Sequence, residues 1–122
     1  MILLVEDEER ARETLARMLK RAGYGVLEAG DGVEALSLLE RMCCELVISD
    51  ILMPKLNGYA LVSRIRAKWP NLPVILMSGF LSQDAAKRMN GSVEFLPKPI
   101  NPEALIQIVQ QLVPKVAKPV VA

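Results

Sequence analysis

Residues 45–54 read ELVISDILMP. Leu46, Val47 and Ile48 form an unbroken apolar run, as in a strand buried on both faces of a parallel sheet. The run then meets a lone carboxylate, Asp50, and apolar residues resume at once. A buried strand finishing on an acid with no adjacent base puts a charge at the end of a sheet. Both the fold and the function turn on what surrounds that charge.

Outward from this stretch the same unit recurs. Residues 2–5, 24–28, 45–49, 73–77 and 93–96 are short apolar runs, each followed by a helical pattern. The first helix carries Ala11, Leu15, Met18, Leu19 and Ala22 on one face and stops at Gly23. The second opens at Asp31 and Gly32, with Leu36, Leu39 and Met42 inward. The third covers 58–68 and stops before Trp69 and Pro70. The fourth covers 82–89 and is closed by Asn90 and Gly91. The fifth has Asn101 as its cap and Pro102 at its first position. Leu105, Ile108, Val109 and Leu112 form its buried stripe, and Pro114 ends it. Alternation of this kind predicts an α/β fold. Right-handed crossovers then favour a doubly wound, five-stranded parallel sheet of order 2-1-3-4-5. One domain is expected over 1–113, with 114–122 a linker or disordered tail.

Composition narrows the function classes. The 122 residues include 15 basic and 14 acidic side chains, a net charge of +1, which gives no electrostatic case for nucleic acid. No apolar run approaches the roughly 18 residues of a membrane span, and no signal-peptide pattern opens the chain, so a cytoplasmic location is expected. Cys43 and Cys44 are sequence neighbours, between which a disulfide is strained; they read as small apolar residues in a reducing compartment. A vicinal redox or metal pair is the sharper alternative, though zinc normally takes four ligands. There is no histidine.

In a parallel sheet all carboxyl ends share one edge, and ligands bind there near the switch in strand order. That edge would gather Glu6 and Asp7 from the first strand, Asp50 from the third, Ser78 from the fourth and Lys98 from just after the fifth. Crowded carboxylates repel and should titrate upward unless a cation compensates. Mg²⁺, which takes oxygen ligands and typically one or two carboxylates, is such a cation. Asp50 would then be free to act as a nucleophile toward phosphorus. Each residue also has a plainer reading. The acids suit the positive end of a helix, and Asp7 is a good N-cap. Ser78 alone is a turn residue, Lys98 alone a solvated cation, and Phe95 a core aromatic. Their joint placement at strand ends is the specific signal.

ILLVEDE (2–8), DILMP (50–54), NGYALVSRIR (57–66), PVILMSG (73–79) and FLPKP (95–99) together resemble the receiver domain of two-component response regulators, the CheY-like superfamily. The resemblance implies a flavodoxin-like (βα)5 fold and a phosphorelay role with Asp50 as phosphoacceptor. It implies Mg²⁺ held by Asp7, Asp50 and the Leu52 backbone carbonyl, with Glu6 joining through water. Ser78 and Lys98 would engage the phosphoryl oxygens, and the Lys98-Pro99 peptide bond would be cis. Ser78 and Phe95 would switch the surface of the fourth helix, fifth strand and fifth helix, with Phe95 lacking the hydroxyl of a tyrosine. Through that surface the family often forms homodimers. The phosphodonor is a histidine kinase or a histidine phosphotransfer domain, outside a chain without histidine. VILMSGF with LLVEDEE is similar to receivers of hybrid sensor kinases. The expected role is a signalling domain, not an enzyme beyond its own phosphorylation and slow dephosphorylation, with no direct nucleic-acid binding, no membrane insertion and an unknown downstream target. Against it stand an aspartate-nucleophile phosphohydrolase, which wants an acid where Leu52 stands, and a degenerate receiver serving only as a binding module. A flavin carrier of similar fold would need a phosphate-cradling loop where the acids 6–9 stand.

Overall fold

A computed structural model describes residues 1–79 and 93–113. Five strands, β1 (Ile2–Val5), β2 (Val26–Ala29), β3 (Leu46–Asp50), β4 (Val74–Ser78) and β5 (Val93–Pro97), alternate with helices α1 (Glu9–Arg21), α2 (Gly32–Arg41), α3 (Gly58–Lys68) and α4 (Pro102–Leu112). The strands form one parallel sheet in the order β2-β1-β3-β4-β5. This is the doubly wound arrangement expected from the sequence. The expected helix over 82–89 and the tail over 114–122 lie outside the described residues.

Strand periodicity splits the core into two layers. Leu3, Val5, Val47 and Leu76 point to one face and pack with Ala35 and Leu39 of α2 and Leu61, Val62 and Ile65 of α3. Ile2, Leu4, Ile48, Ile75 and Met77 point to the other and pack with Leu15, Ala16 and Leu19 of α1 and Leu105 and Val109 of α4. Successive strand residues face opposite sides, so a continuous apolar run serves both layers at once. Every residue of β1, β3 and β4 is buried.

The helix boundaries follow capping chemistry. Asp31, Asn57 and Asn101 accept backbone N–H bonds from Glu34, Ala60 and Glu103 at 2.8, 2.9 and 2.9 Å. α1 differs: its N-cap is Glu8, with no side-chain cap bond. The N-cap reading of Asp7 is therefore not what the chain adopts, and α1 forgoes about 1 kcal/mol of capping. α1 ends where Gly23 takes φ 96°, a left-handed conformation costly for any residue with a Cβ.

Four details depart from the sequence reading. β2 starts at Val26, not residue 24; Tyr24 instead sends its hydroxyl to the Val113 carbonyl at 3.3 Å. β3, β4 and β5 each run one residue further, because the ladder continues beneath Asp50, Ser78 and Pro97 through Asp50↔Met77 and Ser78↔Pro97. Met42 is exposed, since α2 stops at Arg41 and Met42 is extended; Ala35 fills the inner position. Cys44 packs against the core as a small apolar residue, and burial raises its thiol pKa, but Cys43 is exposed. No described helix is long and apolar enough to cross a membrane.

Candidate functional site

The carboxyl edge of the sheet brings the expected residues together. Glu6 follows directly on β1, Asp50 ends β3, Ser78 ends β4 and Lys98 follows β5. Glu6, Asp50 and Ser78 are buried, Lys98 is partly buried and Asp7 is exposed. One oxygen from each of Glu6, Asp7 and Asp50 lies within 4.8 Å of the others, a group able to hold a metal ion. Lys98 Nζ donates to Asp50 Oδ2 at 2.8 Å and stands 3.6 Å from Glu6 Oε2. The Lys98 N–H donates to the Ser78 carbonyl at 2.9 Å, which ties the lysine loop to the end of β4. The Lys98-Pro99 bond is cis. Phe95 is half-buried against the α2–α3 layer, opposite Leu76 in register. Leu52 is 75% exposed.

Backbone donors orient two of the acids. The Ile51 N–H donates to Asp50 Oδ1 at 2.8 Å, and the Glu8 N–H to Glu6 Oε1 at 3.2 Å. Each Asp50 oxygen thus accepts one bond, which leaves further lone-pair capacity on both. Glu6 Oε2 is buried with no hydrogen-bond partner among the described residues. A buried carboxylate oxygen with no hydrogen bond, paired only at 3.6 Å with Lys98 and beside two further acids, suits a hard, oxygen-seeking cation.

The crowding shows in the titration behaviour. Burial, with the Asp50 charge beside it, raises Glu6 from 4.5 to about 7; the Glu8 N–H and Lys98 pull the other way. Burial alone would lower Lys98, but its bond to Asp50 and the charges of Glu6 and Asp50 outweigh this and hold it above the ordinary lysine value. Glu6 yields a pH prediction. Folding favours its protonated form, so that stability is fully present below pH 4.5 and is lost as pH rises through about 7. The loss is on the order of 3 kcal/mol. Melting curves in a chelator should therefore fall between pH 5 and 8. Mg²⁺ should raise the melting temperature more at pH 8 than at pH 6. A flat chelator profile would contradict this reading of Glu6.

Two contributors had no clear signature in the sequence. Arg12 sends Nη1 to the Glu6 carbonyl at 2.9 Å; a charge within an amphipathic helix reads as solvated. Gly58 reads only as a helix start, yet the loop after Asp50 folds directly over it. A Cβ there would lie 2.6 Å from the Asp50 carbonyl oxygen and 2.8 Å from Ile51 Cα, both backbone atoms. Its N–H also donates to the Ile51 carbonyl at 2.8 Å. Gly58→Ala should cost about 1–3 kcal/mol through overpacking. Thermal unfolding checks this; an unchanged melting temperature would show that the loop yields without cost.

The family model "Response regulator receiver domain" matches residues 2–110. The sensor kinase CckA of Brucella abortus is 36% identical over 118 residues, which cover 93% of this chain but 12% of the kinase. A 14.6 kDa uncharacterized protein of Leptolyngbya boryana is 38% identical over 90% of this chain and 87% of its own. Among solved structures, the receiver domain of the hybrid histidine kinase CckA aligns with a TM-score of 0.78 at 40% identity, covering 91% of this chain and 96% of that one. The chemotaxis protein CheY4 of Vibrio cholerae gives 0.83 at 29%, covering 92% and 97%.

Proposed function

Because the chain belongs to the response regulator receiver domain family, we propose that its sheet-edge cluster is a phosphoacceptor site with Asp50 as the residue phosphorylated. Receivers are signalling domains that take phosphoryl groups from histidine kinases. The observation carrying the assignment is the convergence on Asp50: Lys98 Nζ at 2.8 Å from one oxygen, with Glu6 and Asp7 oxygens within 4.8 Å.

In the proposed reaction an Asp50 oxygen attacks phosphorus, the acyl–phosphate bond forms, and the bond from phosphorus to the donor imidazole breaks. The imidazole leaves with the bonding pair and takes up a proton from solvent. Lys98, already drawn to Asp50, meets the negative charge of the phosphoryl oxygens. The Ile51 N–H fixes the carboxylate plane. Ser78 supplies a hydroxyl to the phosphoryl group. Glu6, Asp7, Asp50 and the Leu52 carbonyl would hold Mg²⁺, with Glu6 acting through water. The ion, when bound, supplies charge neutralisation for the crowded acids and the transferring oxygens.

The added charge and acceptor oxygens would draw Ser78 and turn Phe95 inward, shifting an existing equilibrium of the surface that includes β5 and α4. The donor lies on another domain or protein, since the chain has no histidine. Similarity to the CckA receiver supports a hybrid kinase or its phosphotransfer partner as that source. The experiment is incubation with Mg²⁺ and acetyl phosphate. One acid-stable, base-labile adduct mapped to Asp50 supports the proposal. Steady turnover of a free phosphomonoester, with no adduct on Asp50, overturns it in favour of a hydrolase.

A further inference from the structure

We propose that Arg12 is a positioning residue for the metal-binding acids: it clamps the Glu6 carbonyl where β1 leaves the sheet, and so fixes the peptide that aims Asp7 at Glu6 and Asp50. This role rests on the phosphoacceptor reading above.

The β1–β2 ladder ends at Val5↔Ala29. Glu6 still donates its N–H to the Ala29 carbonyl at 3.1 Å, but β2 stops there and offers the Glu6 carbonyl no further strand residue. Arg12 takes that place. Its Nη1 donates to the Glu6 carbonyl at 2.9 Å, while its Nε stands 3.4 Å from Glu28 Oε1. Glu28 lies on β2 opposite Leu4. The guanidinium thus spans α1, the end of β1 and β2, and its side chain is only 19% exposed. A planar group engaged at two nitrogens holds one orientation, which a flexible ammonium does less well.

The consequence falls on Asp7. Glu6 is pinned through its N–H, its carbonyl and its side-chain oxygen. Asp7 is exposed, and its carboxylate sits among like charges that repel it. Rotation of the Glu6–Asp7 peptide would release it to solvent at little cost. The bond from Arg12 opposes that rotation, so Asp7 stays within reach of an ion before the ion arrives. Outer-shell partners of this kind typically set metal affinity by about 10–100-fold.

The test measures phosphorylation by acetyl phosphate across a Mg²⁺ titration, alongside calorimetric Mg²⁺ binding. Arg12→Ala should raise half-saturating Mg²⁺ about 10-fold while keeping the maximal rate within about 2-fold of wild type. Arg12→Lys keeps a donor for the carbonyl but not the planar two-point grip, and should recover only part of the affinity. Glu28→Ala leaves Arg12 present but unanchored, and should weaken binding about 3-fold. Should Arg12→Ala fail to fold, Arg12→Lys and Glu28→Ala carry the test, and wild-type affinity in both overturns the role. A fall in maximal rate at unchanged half-saturation overturns it too. Failure of the parent reading looks different: wild type itself would then show no saturable dependence on Mg²⁺.

Discussion

An Asp50→Asn variant should gain no phosphoryl group from acetyl phosphate and Mg²⁺ under conditions that load the wild-type chain. The loss should be at least about 10⁴-fold, the scale seen when a nucleophile is removed. The substitution is nearly isosteric, so the fold should tolerate it. An asparagine oxygen can still accept the Ile51 N–H that now reaches Asp50 Oδ1 at 2.8 Å. What it lacks is the negative charge and the reactive lone pair. The ion pair with Lys98 is lost, but the burden of like charge on Glu6 also falls, because the Asp50 charge adds to burial in raising Glu6 to about 7. The melting temperature in a chelator should thus change by only a few degrees. Phosphate-affinity electrophoresis and intact mass read the modification. An adduct of unchanged yield on the variant would place the acceptor elsewhere and remove the proposed function.

The site was legible because its residues sit at strand ends, and strand ends are the easiest marks to find in this pattern. ILLV and LVIS read directly as buried strands, and the acids that follow them cannot belong to an apolar core. Topology then did the rest, since parallel strands of known order bring Glu6, Asp50 and Lys98 to one edge whatever the intervening sequence. What stayed hidden was everything held by backbone geometry. Nothing in the letters shows that the Ile51 N–H meets Asp50, that Gly58 admits the Asp50 carbonyl at a distance no Cβ allows, or that Arg12 caps a strand carbonyl. Boundaries slipped for a related reason. Asp50, Ser78 and Pro97 look like strand terminators by side chain, yet their backbones remain in the ladder. Met42 looked inward by helical period, but the helix had already ended.

Lys98→Ala should separate metal binding from phosphoryl transfer. The lysine does two things to Asp50. It neutralises a buried carboxylate, and it occupies Oδ2 at 2.8 Å, an oxygen that an ion or phosphorus would also approach. Removing it frees that oxygen, so Mg²⁺ affinity should hold or improve once the pH is high enough to ionise Glu6. The same change takes away the ammonium that, in the proposed reaction, meets charge on the transferring oxygens, and loss of one such preorganised donor typically costs about 10²–10³ in rate. Adduct formation should therefore slow by about that factor at saturating Mg²⁺. Lys98→Arg should recover only part of it, because a planar fork cannot reproduce a compact point charge. The pH dependence adds a second readout. Lys98 pulls Glu6 downward, so without it Glu6 titrates higher and Mg²⁺ binding should require a higher pH than in wild type. A variant that binds Mg²⁺ poorly even where Glu6 is ionised, yet transfers at the wild-type rate once saturated, would reverse both expectations. Lys98 would then be a structural counter-ion that takes no part in meeting the phosphoryl group.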